Sequence, residues 1–172
     1  NDKVGLLLFS NQVELYIPPK KGKSHILRII RELLEFKPKN KLTDINISLE
    51  FLSGILKKKS IVFVLSDFMD DKYEKTLSIM AKKHDLTGIR VFDPKDELIP
   101  NLGLIQINDS ETGEIKWINT QSSSVRKAYS NHYHKNVSFF ESVLKKNGVG
   151  ILSCRVDESY VKKLLNFFNS RG

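Results

Sequence analysis

Ser60-Ile61-Val62-Phe63-Val64-Leu65-Ser66-Asp67-Phe68 decides the reading of the fold. It is an uncharged run of β-branched and aromatic residues, closed abruptly by a serine and an aspartate. Apolar residues at consecutive positions predict a strand buried on both faces. The run is too short for a helix, so it reads as a central parallel strand. In open α/β sheets ligands sit just beyond the carboxyl ends of such strands, which is where Asp67 falls. An aspartate there is equally suited to capping the turn into the next helix.

Working outward, Val4–Ser10 and Val13–Ile17 read as strands joined by the two-residue connection Asn11-Gln12. Pro18-Pro19 closes the second strand, consistent with an edge position. Ser24 opens a helix with Ile26, Ile29, Ile30, Leu33 and Leu34 at helical spacing, stopped by Pro38. Thr43-Asp44 opens another, with Ile45, Leu49, Leu52, Ile55 and Leu56 at helical spacing. A helix to His84 follows the Ser60–Ser66 strand. Leu86–Phe92 is a second buried strand, ended by Asp93-Pro94. Leu102–Asn108 and Ile115–Asn119 form a marginal hairpin around Asp109–Glu114. The longest helix starts at Ser122–Ser124 and ends at Gly148, a favourable C-terminal cap. Val149–Cys154 and a closing helix from Ser159 complete the chain. Alternating strands and helices after an antiparallel hairpin predict an α/β fold: a mostly parallel sheet, helices on both faces, one domain over 1–172.

Composition excludes several functions. Hydrophobic content is 40% and charged content 28%, ordinary values for a globular protein. No apolar run reaches the roughly 18 residues of a membrane helix. Cys154 is alone in an apolar run, which rules out a disulfide framework and predicts a buried thiol. The net charge of +8 raises nucleic-acid binding. However, Lys20/Lys21/Lys23, Lys37/Lys39/Lys41 and Lys57/Lys58/Lys59 lie at different element ends, and arginine is scarce. Specific nucleic-acid binding is therefore not expected. His25 and His84 read as solvated helix-end residues. His132 and His134 are two apart on a helix and point in different directions.

The remaining chemistry lies in oxygen donors. Thr43 and Asp44 begin a helix, Asp67, Asp70 and Asp71 follow one buried strand, and Asp93, Asp96 and Glu97 follow the next. Oxygen-rich clusters suit magnesium or another hard cation. A non-enzymatic binding module is the favoured reading. The alternative is a magnesium-dependent phosphoester hydrolase using Asp67 and Asp93, although no phosphate-gripping loop accompanies them.

Asp2-Lys3-Val4-Gly5 through Phe9-Ser10, Pro18-Pro19, Thr43-Asp44-Ile45 and Val64–Phe68 occur in an order that resembles a von Willebrand factor A-type domain. Asp93-Pro94 with Glu97 and Pro100, Asp109–Gly113, and Phe167-Phe168 with Arg171 narrow the resemblance to the bacterial domain of unknown function family 58. Members of that family are often encoded beside MoxR-type AAA+ ATPases. The resemblance implies a three-layer, Rossmann-like fold and a metal-ion-dependent adhesion site for Mg2+ or another divalent cation. Thr43 and Asp67 are its candidate metal ligands here. The Asp-x-Ser-x-Ser loop that opens such a site is not in this chain. The expectation is an N-terminally truncated fragment with an incomplete site, its edges open to homodimer formation. The fragment is expected to be cytoplasmic, with any membrane anchor upstream. The implied partner is a protein, an AAA+ ATPase among the candidates.

Overall fold

The computed structural model describes residues 2–40, 42–108 and 114–170. β1 (Val4–Phe9) pairs antiparallel with β2 (Val13–Lys20). The connection is the three residues Ser10, Asn11 and Gln12, because Phe9 already pairs with Val13. β2 runs through Pro18-Pro19 instead of ending there. These prolines form a bulge opposite Gly5, between the pairs Val4–Lys20 and Leu6–Ile17. With only β1 beside it, β2 gives up little by lacking their N–H groups. Gly5 is required at this point, since a Cβ there would meet the Ile17 carbonyl at 2.9 Å and Pro19 Cγ at 3.0 Å.

α1 (Lys23–Glu35) and α2 (Ile45–Ile55) follow, then β3 (Ile61–Ser66), α3 (Glu74–Lys83) and β4 (Asp85–Phe92). A short 3-10 turn, Pro94–Glu97, leads to β5 (Leu104–Asn108) and β6 (Ile115–Asn119). α4 (Ser123–Lys146), β7 (Gly150–Arg155) and α5 (Tyr160–Asn169) end the chain. The α1 N-cap is Gly22, not Ser24. Gly148 takes φ +66 after α4, the left-handed cap expected of it.

Among the described residues the strands form three sheets: β1-β2, the parallel β3-β4-β7, and β5-β6. The turn joining β5 to β6 lies outside the described residues. Within the parallel sheet β4 is central and β3 is at the edge, which corrects the expected placement. β3 is also not buried on both faces. Val62 and Val64 are buried, whereas Ile61, Phe63 and Leu65 are exposed. The buried side meets a core of Ile45, Leu49, Phe68, Tyr73, Leu77, Met80, Phe140 and Leu144, drawn from α2, α3, α4 and the loop after β3. On the opposite side Phe63 meets Phe168 of α5 edge-to-face, with ring centroids 5.9 Å apart. Helices therefore lie on both faces of the parallel sheet, as expected. Much of α1 and α5 is uncovered: Leu27, Leu33, Leu34, Val161 and Leu165 are exposed.

His84 departs from its expected solvated state. It ends α3, its N–H donating to the Met80 carbonyl at 2.9 Å, and it is buried. Among the described residues neither ring nitrogen has a partner. Burial pushes its pKa below the ordinary histidine value, and Lys83 adds to the push. The unfolded chain therefore takes up a proton that the folded chain resists. This contribution to stability is fully present above about pH 6.5 and is lost as pH falls through the lowered folded value. Urea midpoints are expected to fall between about pH 7.5 and pH 5, with a shallower fall in His84→Leu. The same profile in both proteins would show that His84 does not carry the effect.

Candidate functional site

The carboxyl edge of the parallel sheet gathers the loop after β3, the end of β4 and the start of α2. Asp44 is the N-cap of α2, its carboxylate accepting from the Ile47 N–H at 3.0 Å. The Asp44 N–H in turn donates to the Ser10 carbonyl at 3.1 Å, just past β1. The next N–H, from Ile45, donates to Asp70 Oδ2 at 2.9 Å, just past β3. The first residues of α2 thus tie together the carboxyl ends of β1 and β3, although these strands do not pair with each other. Carboxylates at a helix start complement its dipole and its free N–H groups.

Thr43 and Asp67 lie at this edge, both exposed. Neither has an ion pair among the described residues. Asp67 Oδ1 accepts from the Met69 N–H and the Ser66 hydroxyl, each at 3.3 Å. The link between the two segments runs through Asp70, not Asp67. Asp93 accepts from Lys95 N–H at 2.9 Å and caps its own 3-10 turn. No cluster of three or more His, Cys, Asp or Glu side chains suited to a metal occurs among the described residues. Two oxygen donors fall well short of the roughly six that magnesium takes. The residues present do not fit a cation on their own.

The loop after β3 is held in an unusual way. Phe68 has φ +57, the left-handed region that a bulky residue enters at a cost, and its side chain is fully buried. Its ring packs 4.3 Å from Phe140 and 5.8 Å from Tyr73, centroid to centroid. The Ser66 hydroxyl accepts the Phe68 N–H at 3.1 Å. Ring burial and this bond fix the loop and present Asp67 to solvent.

Arg90, on the core side of β4, is a site residue that sequence reasoning missed. Its Nε donates to the Asp67 carbonyl at 3.3 Å and its Nη2 to the Tyr133 hydroxyl at 2.6 Å. An arginine in the middle of a strand read as buried was the available signal. On α4, His132 contacts Asn136 at 3.3 Å while His134 pairs with Glu97 at 3.4 Å. The two histidines do point to different partners. Cys154 is buried in β7, as expected. No described helix is long and apolar enough to cross a membrane.

The mixed α/β fold, with its parallel sheet and loop-borne polar edge, sets the class. The chain belongs to the family described as protein of unknown function DUF58, which matches residues 1–138. It is similar to the uncharacterized proteins Rv1480 of Mycobacterium tuberculosis and Mb1516 of Mycobacterium bovis. Each is 20% identical over 173 residues, covering 99% of this chain and 54% of the relative. The uncharacterized protein MAV169 of Mycobacterium avium is 22% identical over 129 residues, 74% of this chain and 76% of its own length. This chain spans about half the length of Rv1480 and Mb1516, at 54%. No solved structure matches it.

Proposed function

We propose that this chain is the larger part of a von Willebrand factor A-like module that docks a protein partner and performs no turnover. The resemblance puts a MoxR-type AAA+ ATPase among the candidate partners. What carries the reading is the start of α2. It joins the ends of β1 and β3 through Ser10–Asp44 and Ile45–Asp70 while leaving the strands themselves unpaired. That geometry suits a gap one strand wide, flanked by two strands whose carboxyl ends meet at one edge. A strand in the gap would bring an Asp-x-Ser-x-Ser loop to Thr43 and Asp67. The uncovered residues Ile61, Leu65, Leu27 and Leu34 support the same reading, since further chain packed there would bury them. Without that strand, the open edge of β3 favours pairing with a second copy.

With the loop in place, Thr43 and Asp67 would hold a divalent cation. The cation would supply a positive centre for a partner's carboxylate. Asp67 and Asp93 accept hydrogen bonds in separate turns, one after β3 and one after β4.

Magnesium calorimetry on a longer chain carrying the proposed loop tests this. Saturable binding is expected, weakened at least about tenfold by Asp67→Ala and by Thr43→Ala. Equal binding by the wild type and Asp67→Ala would remove Asp67 from the site.

A further inference from the structure

Arg90 is only 3% exposed. A guanidinium carries five N–H bonds and accepts none, and among the described residues Arg90 spends two, on the Asp67 carbonyl and Tyr133. Its cation lies 4.1 Å from the Phe92 ring centroid and 5.2 Å from that of Tyr133. Stacking on rings returns only part of the cost of burying a charge. Buried charges are ordinarily paired, yet none of the ion pairs among the described residues involves Arg90.

None of the carboxylates in the loops after β3 and β4, Asp67, Asp93, Asp96 and Glu97, forms an ion pair with Arg90 among the described residues. Asp67 accepts from Ser66 and Met69, Asp93 from Lys95, and Glu97 pairs with His134. Tyr133 adds to the imbalance. Its oxygen accepts from Arg90, so its own O–H is left to seek an acceptor, and no described residue takes it. The result is a cluster of donors around a positive charge. Tyr129, one turn earlier on α4, is 39% exposed, and Asp67, whose carbonyl Arg90 holds, is exposed as well, so the buried pair lies next to surface residues on two elements.

We propose that Arg90 and Tyr133 form a carboxylate-binding site that receives an acidic side chain or chain end of a protein partner beside the Asp67–Met69 turn. A planar carboxylate suits the fork of a guanidinium, and the phenol supplies a further donor. The proposal rests on the docking reading above but adds an anchor that works without a cation.

Acetate is the probe, chloride at matched ionic strength the control, and EDTA is present throughout. The readout is the movement of the Phe68 and Met69 amide resonances. Acetate is expected to shift them saturably and chloride to leave them unmoved. Arg90→Lys is expected to weaken the response about tenfold. Tyr133→Phe keeps the ring and is expected to weaken it about threefold, so it decides the matter if Arg90→Lys does not fold. No saturable shift in the wild type would overturn the proposal. So would an unchanged response in Tyr133→Phe, or a response to inorganic phosphate with none to acetate. EDTA removes any cation, so a failure of magnesium binding at Thr43 and Asp67 leaves this result standing, and the reverse also holds.

Discussion

Gly88→Val is expected to destabilise the chain by about 3 kcal/mol. Gly88 lies in the middle of β4, paired with Val64 of β3 and Ile151 of β7. A Cβ built there overlaps Leu144 Cδ2 and comes within 3.1 Å of Phe140 Cε2 and 3.3 Å of Phe68 Cζ. These three side chains are themselves fully buried. All three are packed in the core, so these side chains, the strand or α4 must shift to admit the added atoms. Urea unfolding would show a lower midpoint with an unchanged slope. Truncating Leu144 to alanine in the Gly88→Ala background is expected to cost less than the two single changes added together, because it relieves the clash. Strict additivity would mean that the overlap is not the cause.

Phe140→Ala is expected to cost about 4 kcal/mol. Phe140 is 0% exposed and packs against Phe68 at 4.3 Å between centroids. Its removal leaves a cavity under the centre of β4 and takes support from the left-handed Phe68. The loss should therefore reach the Asp67 loop as well as global stability. Leu34→Ala makes the contrast: at 82% exposed, Leu34 is expected to cost no more than about 0.5 kcal/mol. Comparable losses from the two substitutions would contradict the assignment of the core.

Much of the chain's order was legible because its signals are local. The apolar spacing of α4 and its glycine stop required nothing beyond neighbouring residues, and the same holds for the runs that became β4 and β7. Where sequence reading failed, the cause was distant in the chain. Consecutive apolar residues in β3 suggested two buried faces. The structure buries one: Val62 and Val64 meet the core, while Ile61, Phe63 and Leu65 stay exposed on the side where Phe168 of α5 touches Phe63. Pro18-Pro19 looked like a strand end, but a hairpin with one free side accommodates a bulge there. His84 looked solvated from its position at a helix end, and tertiary packing buried it.

The site was legible in part. Thr43 and Asp67 are found at one edge, exposed, as the alternation of strands and helices required. That Asp44 is the cap and Asp70 the link depends on hydrogen bonds that spacing does not show. Arg90 and Tyr133 lie 43 positions apart, and only the parallel sheet under α4 brings them together.

The central claim is that β1 and β3 flank a place for one further strand. Hydrogen exchange tests it most directly, comparing this chain with a longer one that carries the proposed strand. In this chain the β3 amides not bonded to β4, and the β1 amides not bonded to β2, are expected to exchange rapidly. In the longer chain they are expected to slow by about a hundredfold or more. Equal protection of these amides in the two chains would contradict the account.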